Sequence, residues 1–288
     1  MRILILGGTG FIGSRLKTYL IQQGHQVTAF GRQLFNDERE LQNAVNGQDI
    51  IIMLAGENVG KRWSESYKKA LFDSRVVTSQ KLKRAFESCT DKPKRILAAS
   101  AIGIYPENDC QHPIDESMTH YGTNFLASLG KAWEQENNKL TPKPVLMRFG
   151  VVLGKNGGAL QKMLLPFKLG LGGPVAGGKQ CFSWIHIKDL VKAIDFLINK
   201  PELEGVFNLT APVPLTNNDF GKHLANTLSR PYLLPLPLWQ LKLMFGEGAQ
   251  VLTQSSAILP TRLTDEGFVF EFSEAKPALV DILKPADF

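Results

Sequence analysis

Gly7, Gly10 and Gly13, with a lone arginine some twenty residues further on, are the residues of this chain whose spacing speaks most directly of chemistry. The glycines belong to Gly7-Gly8-Thr9-Gly10-Phe11-Ile12-Gly13, set between an apolar run and a helical pattern. In that setting the first glycine permits a tight turn, the second lets the backbone approach a pyrophosphate, and the third lets helix and strand pack closely. The amides of the helix's first turn then meet the phosphates. The spacing predicts a dinucleotide site contacted by Gly7, Thr9, Gly10, Phe11, Ile12 and Gly13.

About twenty residues beyond the last glycine, such a site carries an acid when it must hold the adenine-ribose 2′-hydroxyl. Here that tip is Gly31-Arg32, with no acid. A carboxylate repels a 2′-phosphate, whereas a guanidinium forms charge-assisted hydrogen bonds to it. If that bond contributes about 1.5–3 kcal/mol, the preference for NADP(H) over NAD(H) is roughly ten- to a hundredfold. A solvated arginine at a strand end is the alternative.

The elements that must position these residues follow from hydrophobic period. Residues 2–6 are a continuous apolar run, as expected of a strand buried on both faces. Residues 11–23 place Phe11, Ile12, Leu16, Leu20 and Ile21 at helical spacing, and 26–30 is the next strand. Strands are expected at 49–54, 95–99, 144–149, 182–185 and 206–209, and helices at 64–87, 124–139 and 188–199. The stretch 101–123 reads as loop, 154–178 as too glycine-rich for a core element, and 267–270 as a short strand. This alternation implies an α/β fold, a Rossmann-type doubly wound parallel sheet with a small C-terminal substrate lobe. Its nucleotide-binding domain is expected at 1–153, with 181–210 returning to the core, and its lobe at 154–180 and 211–288. Ligand sites belong at the carboxyl ends of the strands, near Gly7, Phe30, Leu54, Ser100 and Gly150.

Composition narrows the classes. The 288 residues are 43% hydrophobic and 21% charged, the balance of a soluble globular protein. No apolar run reaches the roughly 18 residues of a membrane span, and the short apolar start reads as a strand, not a signal peptide. Three scattered cysteines suit a reducing compartment and argue against a disulfide framework. Neither they nor the five histidines show metal-ligand spacing, so no metal site is expected. The net charge of +6 is spread in short groups rather than gathered in a stripe. A cytoplasmic protein acting on a small molecule, with no nucleic-acid or membrane partner, is the expectation. Oligomeric state is not legible.

With these motifs in place, the chain resembles the extended short-chain dehydrogenase/reductase superfamily, which contains the sugar-nucleotide epimerases. It is most similar to an atypical branch with a C-terminal domain of unknown function. The likeness runs through GGTGFIG (7–13), LAGENV (54–59), Arg62-Trp63, Ser74-Arg75, RFGVVLGKNGG (148–158), LPFKLGLGGPVAGGKQ (165–180) and SWIHIKDL (183–190). It ends on Asn208, Ala211-Pro212, Gly246-Glu247 and Pro260-Thr261-Arg262. The resemblance implies that Gly31 and Arg32 face the adenosine phosphate and that Leu54, Ala55 and Gly56 line the adenine–ribose side. It further implies that Arg75 reaches the cofactor from its helix and that Val152 lies near the nicotinamide end.

The superfamily's catalytic signature is missing. Its members use a Ser or Thr, then a Tyr and a Lys four residues later, the lysine lowering the phenol's pKa. Tyr121 is followed four residues on by Phe125, and on the matching helix, 125–134, a Leu and a Gly take the Tyr and Lys places. Ser100 lies at the right strand end, although Ala101 competes for the register. Tyr105 is the candidate substitute acid, with core packing as its other reading. His186 and Asp189 have the types of an acid–base pair, but the same pattern in the superfamily orders a loop beneath the site. Gln180, Trp184 and His186 are expected to shape the substrate pocket. Two functions stay open: an NADP(H)-dependent epimerase or oxidoreductase on a small, sugar-nucleotide-like substrate, and a non-catalytic NADP(H) sensor or regulator.

Overall fold

The computed structural model describes residues 1–283. β1 (Arg2–Leu6) is buried after its first residue because its faces serve two layers. Ile3 and Ile5 join one hydrophobic cluster, and Leu4 and Leu6 join the other. α1 (Phe11–Gln22) and β2 (Gln26–Phe30) complete the first βαβ unit. Next comes α2 (Glu38–Val45), started by the Asp37 carboxylate, which accepts the amides of Arg39 and Glu40. β3 (Ile50–Met53) is fully buried.

The helix expected at 64–87 is present but interrupted. α3 (Glu65–Phe72) and α4 (Thr78–Ser88) flank a π-helical turn, Asp73–Val77, that contains Ser74 and Arg75. Such turns widen the helix and cluster at functional sites. β4 (Arg95–Ala101), α5 (Phe125–Asn137), β5 (Val145–Phe149) and β6 (Val151–Leu153) follow.

The segment 154–178 is more ordered than its glycines suggest, since Gly158–Lys168 is a helix, α6, with Leu160 and Phe167 turned inward. The strand expected at 182–185 is split at Ser183. β7 (Cys181–Phe182) and β8 (Trp184–His186) have different partners, and the Ser183 hydroxyl donates to Ser256 O while accepting the Ile258 amide. α7 (Ile187–Asn199) and β9 (Val206–Leu209) return the chain to the main sheet. β10 (Leu215–Thr216), α8 (Asn217–Thr227), α9 (Leu238–Phe245), α10 (Gln250–Thr253), α11 (Thr261–Asp265) and α12 (Ala275–Leu283) make up the rest. No strand forms at 267–270. The amides just beyond it, those of Glu271 and Phe272, go to the Asp189 carboxylate at 2.9 Å each instead of to a sheet.

The main sheet runs β2-β1-β3-β4-β5-β9, all parallel. The chain therefore reverses direction across the sheet between β1 and β3, and in such sheets the crevice above that reversal binds ligands. One face is covered by α1 and α7, the other by α2 and α4. A third apolar cluster, around Trp184, Phe220 and Leu279, holds α6, α8 and α12 together. No helix among the described residues is long and apolar enough to cross a membrane.

The expectation of unpaired cysteines is corrected. Cys110, in the loop after β4, is disulfide-bonded to Cys181 of β7, with Cα atoms 5.4 Å apart; Cys89 is free and buried. Seventy-one residues separate the two in sequence, and only the tertiary fold brings them together. The cysteine pattern thus no longer argues for a reducing compartment.

Candidate cofactor site

The glycine turn is built by close approach. Both Gly7 N–H and Gly8 N–H donate to Phe30 O, at 2.8 and 2.9 Å, tying the end of β1 to the end of β2. Gly7 has φ +89°, and a Cβ there would sit 2.7 Å from the backbone of Leu54 and Ala55. At Gly13 a Cβ would come within 2.5 Å of Gly7 O. Gly10 differs: a Cβ would meet only Gly7 O, at 3.3 Å, so the space above it is open. α1 starts directly afterwards with no side-chain cap and no acid in its first turn. Its first amides therefore lack helix partners and face an uncapped opening, which suits an anion. The residues present fit a dinucleotide's pyrophosphate.

A second glycine loop packs over this turn. Gly154, Gly157 and Gly158 lie against the Phe11 ring, so close that a Cβ on Gly157 would stand 2.1 Å from it. The Arg15 guanidinium lies over the same ring, 4.1 Å from its centroid, and donates to Lys155 O. Half-buried Val152 lies on β6, paired with Ile185 of β8. The resemblance implies that Val152 lies near the nicotinamide end; it stands on the strand that feeds this loop.

At the other end, Thr9 and Gly31 are neighbours: a Cβ on Gly31 would lie 2.9 Å from Thr9 Oγ1. Arg32 is half-exposed, and its Nη1 donates to Glu57. Glu57 lies just past β3, within LAGENV (54–59), where no spacing rule marks it as a partner of Arg32. Its carboxylate also accepts from Lys61 Nζ at 3.3 Å, Tyr67 Oη at 3.2 Å and Asn58 N–H at 3.2 Å. Burial alone would raise its pKa, but the bonds from Arg32, Asn58 and Lys61 overcome that and hold it at about 2. Arg75, in the π-helical turn, is partly buried against Gly56 and donates to Glu57 O at 3.0 Å. Burial lowers its pKa to about 10, against the opposing pull of Glu57 and Tyr67. Leu54, Ala55, Gly56 and Arg75 thus gather at one strand end, beside Gly7.

The carboxyl ends of β4 and β5 carry a buried polar network. Ser100 Oγ donates to Glu134 Oε1 at 2.5 Å, and Glu134 binds Arg148 through two bonds of 2.7 Å. Arg148 stacks 4.7 Å from the ring of Tyr105, whose hydroxyl donates to Asn208 at 2.9 Å. Tyr105 is 0% exposed and Ser100 2%, and burial pushes the Tyr105 phenol up. Alternation along β4 turns Ser100 inward and leaves Ala101 at the exposed position. On α5, Gly130 is pressed against Ile104, where a Cβ would be 3.1 Å away. The exposed phenol near this network is Tyr121, whose ring is 6.0 Å from the Arg148 guanidinium and 5.9 Å from Lys131 Nζ.

The remaining residues expected at the substrate pocket have structural partners. Gln180 Nε2 donates to Val175 O and Leu252 O, holding the glycine loop to α10. Trp184 is wholly buried in the third cluster. His186 accepts the Lys188 amide through Nδ1 as the cap of α7, and its Nε2 faces Asp281 of α12 at 3.3 Å. Burial lowers its pKa to about 4 despite that carboxylate. Asp189 spends both oxygens on the amides of Glu271 and Phe272, so it orders the C-terminal segment and does not pair with His186.

The sequence pattern of the NAD dependent epimerase/dehydratase family matches residues 3–210, and that of a domain of unknown function, DUF1731, matches residues 236–282. An epimerase family protein of Staphylococcus aureus is 36% identical over 296 residues, covering 98% of each chain. The crystal structure of human epimerase family protein SDR39U1 with NADPH superposes with a TM-score of 0.89 at 33% identity, over 98% of this chain and 99% of that one. Thermus thermophilus UDP-glucose 4-epimerase, solved with NAD, shares the fold at 18% identity, with a TM-score of 0.76 and 98% of each chain covered. The turn, the sheet order and these matches agree: this chain belongs to the NAD dependent epimerase/dehydratase family.

Proposed function

We propose that this protein binds NADP(H) in preference to NAD(H) and uses it to reduce or epimerise a small substrate of the sugar-nucleotide class. The observation that carries the reading is Arg32, half-exposed beside the glycine turn with only Nη1 engaged by a side chain among the described residues. Its free N–H groups suit a 2′-phosphate. The human relative solved with NADPH supports the same cofactor. In this reading the amides following Gly10 hold the pyrophosphate, Leu54, Ala55, Gly56 and Arg75 line the adenosine side, and Val152 backs the nicotinamide end. The bound cofactor supplies hydride transfer, and the protein supplies orientation and proton movement.

Ser100 and Tyr105 are assigned to positioning, since each hydroxyl is buried and already donates within the framework. Tyr121 is the better-placed proton donor, because its phenol is exposed and is not committed to the buried network beside it. Residues 154–180 and 211–283 form the substrate lobe, with Gln180, Trp184 and His186 supporting its walls from behind; residues 284–288 of the expected lobe lie outside the described residues. The second reading, a sensor without turnover, is favoured by Ala101 at the open register and Gly130 packed on Ile104.

Fluorescence titration with NADPH and NADH tests the cofactor claim. Arg32→Asp is expected to weaken NADPH roughly ten- to a hundredfold and to leave NADH nearly unchanged; an unaltered ratio refutes it. NADPH oxidation is then followed with sugar nucleotides and simple carbonyls. Tight binding with no turnover across the panel assigns the sensor.

A further inference from the structure

Nine of the sixteen large apolar side chains that stand exposed among the described residues fall in two short segments, 165–171 and 233–244. The segments are stitched together: Leu233 and Leu234 N–H donate to Gly172 O, Leu236 N–H to Pro174 O, and Ala176 N–H to Leu236 O. Phe167 of α6 also stacks on Tyr232. Leu165, Leu169, Leu233, Trp239, Leu243 and Met244 project from this surface. Leu233 is 75% exposed and Trp239 65%, too open for the walls of a small-molecule pocket. Exposed apolar side chains gathered on two segments that these bonds tie together mark an interaction surface.

The charges of the same segments have one sign. The sequence holds no acid between Glu136 and Asp189, nor between Asp219 and Glu247. Lys168, Arg230 and Lys242 are exposed, and none forms an ion pair among the described residues. Glu247, just past α9, is taken by Lys68. A second copy meeting this face symmetrically would set cations against cations. An anionic bilayer complements both features, because leucines and an exposed tryptophan enter the headgroup boundary while lysines and arginines meet the phosphates.

We propose that the face built from α6, the 169–176 loop, the 231–236 segment and α9 docks this protein onto the surface of an anionic lipid bilayer. Such docking runs against the expectation of no membrane partner drawn from the sequence; it is peripheral and leaves no segment across the bilayer.

The full chain is tested by co-sedimentation with vesicles of phosphatidylglycerol and phosphatidylcholine, and with phosphatidylcholine alone. Trp239 is a built-in reporter, since Trp63, Trp133 and Trp184 are buried. Binding to the anionic vesicles is expected with a blue shift of tryptophan emission, and it weakens as salt is raised. Lys242→Gln is expected to lower the partition coefficient about fivefold, the effect of one cation near such a surface. Trp239→Ser with Leu243→Gln abolishes the binding and the shift, while these exposed positions leave thermal unfolding unchanged. Absence of binding to anionic vesicles, or equal binding to phosphatidylcholine, overturns the proposal. So does a concentration-dependent dimer that the same double substitution dissolves.

Discussion

Glu57 is the residue that most alters the view of the cofactor site. The sequence offered no acid at the tip of β2, and the structure brings one there from the end of β3, against Arg32. The acid leaves room for the proposed preference for NADP(H), because it engages only Nη1 and is itself shared with Lys61 and Tyr67. It does place a negative charge beside the proposed 2′-phosphate. Glu57→Gln keeps an acceptor for Arg32 while removing that charge, and the relief of repulsion across several ångströms of partly screened space is about 1 kcal/mol. NADPH should bind roughly fivefold more tightly to this variant and NADH about equally, as read by fluorescence titration; weaker NADPH binding would show that the carboxylate's charge orients Arg32 instead. Because its folded pKa is depressed from 4.5 to about 2, Glu57 stabilises the fold fully above pH 4.5, and that contribution fades as pH falls towards 2.

Among the elements, the junction of α7 with α12 holds a buried group that responds to acid. His186 caps α7 through Nδ1, stacks on Phe272 at 4.0 Å, and is 1% exposed. With its pKa lowered from 6.5 to about 4, the folded state keeps it neutral over a range in which the unfolded chain binds a proton. Stability should therefore be full above pH 6.5 and decline as pH falls to 4, by about 3 kcal/mol at most. Urea midpoints measured across that window should fall in the wild type and stay flatter in His186→Gln. A wild-type midpoint that rises towards pH 4 would contradict the burial argument. The helix expected at 64–87 makes a related point: its hydrophobic period is legible, but the π-helical turn that sets Arg75 against Gly56 is not, because periodicity reports which residues face inward and not local winding.

For the molecule as a whole, the disulfide joins two regions that the sheet alone leaves separate. Cys110 belongs to the loop beyond β4, and Cys181 to the short strand beneath the C-terminal segment. Closing a loop of this length restricts the unfolded chain by up to about 4 kcal/mol. Cys110→Ser should lower the melting temperature, and a reducing agent should lower it in the wild type but not in the variant. Equal sensitivity of both proteins to reduction would show that the bond carries no stability. The parallel sheet itself does not depend on this link, since its two apolar clusters lie on either side of β1 and β3.

The sequence by itself determined the parallel α/β architecture, the glycine turn and the lone arginine at the tip of β2. Those features depend on local period and on spacings within one βαβ unit, where neighbours in sequence are neighbours in space. Glycine content misled at 158–168 because helix formation there rests on Leu160 and Phe167 meeting the third cluster, a tertiary contact. Tertiary structure alone decided the partner of Arg32, the burial of Ser100 and Tyr105, and the pairing of Cys110 with Cys181. It also decided which leucines of 165–171 and 233–243 remain uncovered. Each of these joins residues from separate elements, and side-chain exposure and charge pairing are set only when those elements pack.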